Sequence, residues 1–278
     1  MIWLILAVAS SALISVIMRL SAAKVRDSIA MLVMNYVTCL LVAGAYAGFG
    51  NLLPAGAALP RTVFMGTVNG ALYLFSFVLL QYNIRKNGVV LSSLFQRLGL
   101  LVALAAAMLL FGEMPTGLQT AGFVIALAAI ILINTEKGVS FRGAGAGLVA
   151  LLALGGLGDT MSKAFETWGD PALAPQFLFF TFGTALVLCL LLMLYKKQRP
   201  GGWELLFGVL IGVPNFFSAR FLLRALEALP AVVVYPTFSV ATILAVTLAG
   251  VVCFKERMSP RRWVALVIIL AALVLLNV

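Results

Sequence analysis

Ten apolar runs, each close to the length of one membrane span and parted by short connections, follow one another along the chain from Ile2 onward. A spanning helix needs roughly 20 apolar residues, because the hydrocarbon core is about 30 Å thick and a helix rises about 1.5 Å per residue. The runs are continuous rather than alternating with period two, which excludes a transmembrane β-barrel. Breaking them at charges, proline and glycine predicts spans at 2–20, 28–49, 63–83, 88–111, 116–134, 144–165, 173–195, 203–226, 229–253 and 260–277. The expected fold is all-α and integral to a membrane, with ten transmembrane helices and no soluble domain.

Composition agrees and narrows the function. With 63% hydrophobic and 10% charged residues, the chain cannot coat a water-soluble globule, since soluble domains carry roughly 25% charge. A cytosolic enzyme or a nucleic-acid-binding protein is excluded. The net charge of +10 sits mostly in short connections, where it reads out topology and meets lipid headgroups rather than nucleic acid. Cys39, Cys189 and Cys253 all lie inside apolar runs, with neither disulfide nor metal spacing. Histidine is absent, so no metal and no cofactor is expected. The first run lacks a basic segment before it and a clear cleavage site after it, and is read as a retained helix rather than a signal peptide.

Self-similarity divides the chain. At an offset of 143 residues, Phe111-Gly112-Glu113 aligns with Phe254-Lys255-Glu256, Val124-Ile125 with Val267-Ile268, Leu127-Ala128-Ala129 with Leu270-Ala271-Ala272, and Asn134 with Asn277. Gly66/Gly70 recurs as Gly208/Gly212, at an offset of 142. The two repeats are expected at 1–138 and 139–278, five helices each. Five is odd, so the second repeat must cross the membrane in the opposite sense to the first, which makes the repeat an inverted one of the kind found in secondary transporters. Glu113 and Glu256 precede helix starts, where a carboxylate faces the positive end of the helix dipole. Ser259-Pro260 reads as an N-cap followed by a proline at the first helical position.

The order of these motifs resembles the EamA-like branch of the drug/metabolite transporter superfamily. The likeness rests on the Phe-x-Glu turn before spans 5 and 10, the Gly-Val-Val-Leu-Ser-Ser start of span 4 and the Val-Tyr-Pro-Thr-Phe of residues 234–238 in span 9. It covers nearly the whole chain and implies ten helices, alternating access about a midplane cavity, and a cavity lined by spans 1, 3, 4, 6, 8 and 9. One departure is that span 4 has Ser93 where span 9 has Pro236, so a proline kink is expected in only one repeat.

Basic residues set the orientation. The odd-numbered connections hold 14 Lys and Arg and the even-numbered ones hold 3, with Arg97 and Arg220 inside spans. The positive-inside rule places odd loops in the cytoplasm and both termini outside, the reverse of what the family resemblance implies. A multi-pass protein of a plasma membrane, of the bacterial cytoplasmic type, is expected.

A charge near the bilayer centre costs about 2.5–3.5 kcal/mol on insertion scales, so each one needs a reason. Arg97, in the middle of span 4, reads as an anchor for a carboxylate or phosphate, or as half of an internal ion pair. Asp159 and Lys163 share a face of span 6. They neutralise each other, or Asp159 serves in proton or amine coupling, and Asp159 and Lys163 are the coupling candidates. Arg224 is expected to pair with Glu227, while Arg220 lies deeper and snorkels or binds substrate. Neutral polar side chains surround these charges. Ser15, Asn69, Tyr73, Ser76, Ser93, Gln96, Asn215, Ser218 and Tyr235 join Arg97 as substrate-binding candidates, with Asn69, Tyr73 and Ser76 spaced on one helix face. Pro214 and Pro236 are expected to interrupt spans 8 and 9. The pairs Gly44/Gly48, Gly66/Gly70, Gly143/Gly147 and Gly208/Gly212 read as helix-packing sites.

The function these features favour is secondary active transport, by an exporter or exchanger, of a small polar metabolite. Arg97 fits a carboxylate and Asp159 an amine, which together describe an amino acid or a similar zwitterion. The alternative is an organic-anion or sugar-phosphate exchanger of the same fold. A drug-cation exporter fits less well because the deep charge is positive, and no phosphate loop for ATP is present. A membrane-embedded enzyme lacks a catalytic constellation in the spans. The expected partners are a small-molecule substrate and the lipid bilayer, with proton coupling through Asp159 and a monomer or weak homodimer as the working unit.

Overall fold

The computed structural model describes residues 1–87, 89–134, 145–255 and 260–277. Helices dominate and, among the described residues, no strand occurs. In chain order they are α1 (Ile2–Ser21), α2 (Ser28–Ala47), α3 (Leu59–Asn87), α4 (Val89–Arg97), α5 (Leu100–Phe111), α6 (Gly117–Asn134), α7 (Ala146–Trp168), α8 (Ala174–Tyr195), α9 (Gly202–Ala228), α10 (Ala231–Phe254) and α11 (Pro260–Leu276). Among the described residues, 8 stretches are long and apolar enough to cross a membrane, with α4 and α5 counting as one from Leu91 to Phe111. α6 and α11 supply two shorter apolar helices.

The helices assemble into two compact units, residues 1–74 with 164–227 and residues 75–163 with 228–278. Each unit therefore draws on both halves of the sequence. In the first unit α2 and α8 pack antiparallel. Cys189, late in α8, directs its thiol at Ile29 O, early in α2, at 3.8 Å, and Gln176, early in α8, donates to Asn51 O, just past α2, at 3.0 Å.

The recurring glycine pairs have matching roles in this unit. Gly66 and Gly70 of α3 lie against α8, where a Cβ on Gly66 would stand 2.8 Å from Phe177 O and one on Gly70 would collide with Thr181 O. Gly208 and Gly212 of α9 lie against α2, where added Cβ atoms would stand 2.7 Å from Met31 O and 2.7 Å from Asn35 O. Their partners recur as well. Thr38 and Thr181, 143 residues apart, each turn a hydroxyl back onto the carbonyl four residues earlier, at 3.0 Å and 2.8 Å. Bare backbone at these positions lets the helices approach closely enough to pack. Gly212→Val is expected to destabilise the protein by about 1–3 kcal/mol through overpacking. Gly50→Ala, where nothing lies within 4 Å of the new Cβ, should leave the thermal midpoint in detergent unchanged.

In the second unit α6 and α11 pack antiparallel, with Gly122 near the start of α6 against Leu275 near the end of α11. Ala126, Ala129 and Ile130 form a buried core with Ile269, Ala272 and Leu276, joined by Leu94, Leu100, Leu148, Val240 and Ile243. The start of α6 is a capping box. Gln119 N–H donates to Thr116 Oγ1 at 3.2 Å, and Thr116 N–H donates to Gln119 Oε1 at 3.0 Å. The Phe-x-Glu motif has a backbone explanation too. Its middle residue ends α5 and α10 in the left-handed region, Gly112 at φ 69° and Lys255 at φ 52°. Gly112 tolerates that conformation freely, and Glu113 N–H then closes onto Ala107 O at 3.0 Å.

Several expectations need correction. The interruption falls in span 4, not in spans 8 and 9: the chain tightens at Leu98-Gly99, where Gly99 N–H donates to Gln96 O at 3.1 Å. The cause is packing, since a Cβ on Gly99 would stand 2.9 Å from Gly156 N. α9 and α10 run through Pro214 and Pro236 without a break. Gly44/Gly48 is not a helix-packing pair. Gly48, at φ 77°, ends α2, and the Phe49 ring folds over Gly44. Gly147 meets the side chain of Asn83, while Gly143, Glu256 and Ser259 lie outside the described residues. Pro260 is the first residue of α11 as expected.

Candidate functional site

The second unit holds the charged candidates. Arg97 is the last residue of α4, immediately before the tight turn at Leu98-Gly99. Asp159 lies on α7, about one helical turn beyond Gly156, the residue against which Gly99 packs. Both side chains are half-buried. Among the described residues, no ion pair or side-chain hydrogen bond is made by the Arg97 guanidinium or the Asp159 carboxylate.

The mutual neutralisation of Asp159 and Lys163 is not what the structure shows. Lys163 Nζ, buried, pairs instead with Oε1 of the half-buried Glu113 at 2.8 Å. The second oxygen of Glu113 accepts the N–H of Val232 at 3.2 Å. Glu113 does serve a helix N-terminus, but that of α10 rather than that of α6, whose start has its own capping box. This one carboxylate ties the turn after α5 to α7 and to the first turn of α10. Tyr235 of α10, almost fully buried, adds a short bond from its hydroxyl to the backbone carbonyl of Asp159. The end of α3 is held in the same unit by Asn83, which donates to Gly147 O at 2.9 Å.

Removing one half of a buried ion pair leaves the other charge without compensation. Glu113→Gln is therefore expected to cost about 3–5 kcal/mol, whereas a Glu113→Leu/Lys163→Met double variant should recover most of that loss. Thermal unfolding of the three proteins in detergent checks it. Equal midpoints for wild type and Glu113→Gln would remove the pair from the list of what holds α7.

The remaining candidates of this unit are Ser76, Ser93, Gln96 and Tyr235. Ser76 is buried, Ser93 half-buried and Gln96 exposed. Tyr235 is occupied by the bond to Asp159.

Ser15, Asn69, Tyr73, Asn215 and Ser218 fall in the first unit. Asn69 is buried and donates to Thr181 Oγ1 at 3.4 Å, while its Oδ1 has no hydrogen-bond partner among the described residues. Tyr73 meets Phe182 edge-on. Asn215 donates to Asn35 Oδ1 at 3.2 Å, Ser218 donates to Ala7 O at 3.4 Å, and Ser15 turns back onto Ser11 O at 3.2 Å. Cys39 completes this polar set by donating to Gly212 O at 3.2 Å. Arg224 pairs with Glu227 at 2.9 Å as expected, and the Arg220 guanidinium stacks on Tyr46 at 4.3 Å. Sequence reasoning missed Thr181 and the partner of Lys163. Thr181 carried a signal, since it repeats Thr38 at the same offset as the other matches. No three of the described Cys, Asp or Glu side chains come together in a way that would hold a metal ion.

Known proteins match both the sequence and the fold. An uncharacterized protein of Haemophilus influenzae is 26% identical over 204 residues, 71% of this chain and 69% of its own. A crystal structure of 16% sequence identity superposes with a TM-score of 0.75 over 99% of this chain and 98% of its own, which shows a shared fold. The model of the EamA-like transporter family matches twice, at residues 1–135 and 142–278. With apolar helices throughout and a family match over nearly its full length, this multi-pass membrane protein belongs to the EamA-like transporter family, part of the drug/metabolite transporter superfamily.

Proposed function

We propose that this transporter is a secondary active exporter or exchanger of a small polar metabolite, an amino acid or a related zwitterion. It works by alternating access between two inverted five-helix repeats, 1–138 and 139–278. The antiparallel packing of α2 with α8 and of α6 with α11 supports the inversion, because spans 2 and 7 and spans 5 and 10 are the corresponding members of the two repeats. The double family match supports the same division.

One observation carries the substrate class. Within a single unit a guanidinium and a carboxylate, Arg97 and Asp159, stand half-buried without ion-pair or side-chain hydrogen-bond partners among the described residues, on helices packed backbone to backbone through Gly99 and Gly156. Unpaired charge at membrane depth is costly and marks substrate or ion pathways. A carboxylate suits the fork of Arg97, and Asp159 offers the complement for an amine or a proton. Ser93 and Gln96 supply neutral hydrogen bonds beside Arg97. Ser76 and Tyr235 complete the proposed substrate-binding set within this unit, and Lys163 acts with Asp159 through the position of α7; Asn69, Tyr73, Asn215, Ser218 and Ser15 form a separate polar set in the first unit.

Radiolabelled counterflow in proteoliposomes tests this reading, comparing pooled amino acids with pooled sugar phosphates, with and without a pH gradient. Exchange of amino acids is the expected result. Exchange of sugar phosphates alone would replace the zwitterion with an organic anion, and exchange of neither would remove the substrate argument built on Arg97 and Asp159.

A further inference from the structure

Away from the charged candidates, the first unit carries an open cleft of about 490 Å³ lined by Ala23, Lys24, Val25, Arg26, Gly201, Gly202, Trp203 and Glu204. It forms where the connection between α1 and α2 meets the start of α9, and so lies at the ends of three apolar helices. Helix ends of this kind sit at the level of lipid headgroups, where tryptophan and basic side chains anchor proteins to the interface.

The chemistry of the cleft is cationic despite the presence of Glu204. That carboxylate is buried and turned inward. One oxygen accepts the N–H groups of Arg26 at 2.8 Å and Asp27 at 3.3 Å, and the other accepts that of Gly201 at 3.1 Å. Its charge is offset by these three N–H dipoles and held against the loop, which leaves Lys24 and Arg26 as the exposed charges of the cleft. Val25 strengthens the anchorage by packing on the apolar cluster of Met31, Phe207 and Ile211. The same fixed loop presents Lys24 and Arg26 outward, both exposed. Lys24 Nζ rests 4.2 Å from the centre of the Trp203 ring, a cation–π contact that holds the ammonium in place. At Gly202, nothing lies within 4 Å of where a Cβ would stand, so the backbone at the start of α9 is open to a ligand.

From this arrangement we infer that the cleft is a binding site for the headgroup of an anionic phospholipid, with its phosphate between Lys24, Arg26 and the first turn of α9. Trp203, about half exposed, lies against the glycerol and upper acyl region. The interfacial setting favours a lipid over a soluble phosphate: the ring at the rim is amphipathic, and apolar helix surface continues directly from the cleft.

Native mass spectrometry of the full chain released from micelles containing equal phosphatidylglycerol and phosphatidylcholine tests the site without any transport assay, so its result is independent of the proposed substrate. Wild type should retain phosphatidylglycerol in preference, and Lys24→Gln/Arg26→Gln should lose that preference by about tenfold. Arg85→Gln/Lys86→Gln removes the same charge from the end of α3 and should retain it. Three results would overturn the inference: no preference in wild type, equal loss in both double variants, or full displacement of the lipid by millimolar inorganic phosphate, which would make the cleft a general anion site. Thermal midpoints within a degree or two of wild type in the Lys24→Gln/Arg26→Gln protein are expected because both side chains are exposed. If that midpoint falls, Lys24→Glu alone, with preserved folding, should reverse the preference toward phosphatidylcholine.

Discussion

Replacing Arg97 with alanine is expected to lower substrate counterflow by at least about tenfold, the cost of losing one charge-assisted hydrogen bond, while raising the stability of the folded chain. The two effects have opposite signs for one reason. A guanidinium in mid-span costs about 2.5–3.5 kcal/mol on insertion scales, and no partner within the described residues offsets that cost for Arg97. A side chain kept solely for packing would not be held there without a partner. Local rules of stability are broken most often where function requires it. Arg97→Lys separates charge from geometry: it keeps the point charge and loses the planar fork that matches a carboxylate with two hydrogen bonds. Its counterflow should fall between those of wild type and alanine. Flux through equal amounts of reconstituted protein and thermal midpoints in detergent check both halves. An alanine variant with normal flux would end the anchor reading, and one with lost flux and a lowered midpoint would make Arg97 structural.

The spans were legible in the sequence because burial in lipid is a local property of a run of residues. The end of α5 follows the same logic, since Gly112 closes it in a left-handed conformation, whereas Gly48, read as a helix-packing residue, ends α2 at φ 77°. The glycine pairs of α3 and α9 were legible through repetition alone, since small residues recurring at a fixed offset imply a recurring close contact. What stayed hidden depends on which helices meet. Lys163 has an acid four residues before it, and the helical rule favours that neighbour; the structure gives it Glu113, 50 positions away, because the turn after α5 brings that carboxylate to α7. The tight turn in span 4 was hidden for a similar reason. Leu98-Gly99 contains no proline, and the close approach of Gly156 becomes visible only once α7 is in place. Conversely, Pro214 and Pro236 mark expected breaks in helices that stay continuous. The charged candidates were found because an ionisable residue in an apolar run stands out without knowledge of its partners, yet whether it is paired is a tertiary fact.

That fact gives Asp159 its sharpest test. Because Lys163 is held by Glu113, the Asp159 carboxylate has no ion-pair partner among the described residues, as the proposed role in proton coupling requires. Asparagine keeps its size and cannot titrate. Asp159→Asn is therefore expected to abolish stimulation of transport by an imposed pH gradient while substrate exchange without a gradient continues. Uptake driven by the gradient should fall to the ungraded rate, a loss as large as the whole coupling effect of wild type. Tyr235→Phe supplies the control. Its ring stays in place and it loses only the hydroxyl that bonds the Asp159 carbonyl, so the carboxyl survives and pH dependence should persist even if α7 is less firmly held. Loss of pH dependence in both variants would assign the effect to the position of α7 rather than to the carboxyl. An Asp159→Asn protein that still responds to the gradient as wild type does would remove Asp159 from coupling altogether. If exchange without a gradient also disappears in that protein, the carboxylate holds the substrate's amine, and the proton must be carried elsewhere in the chain.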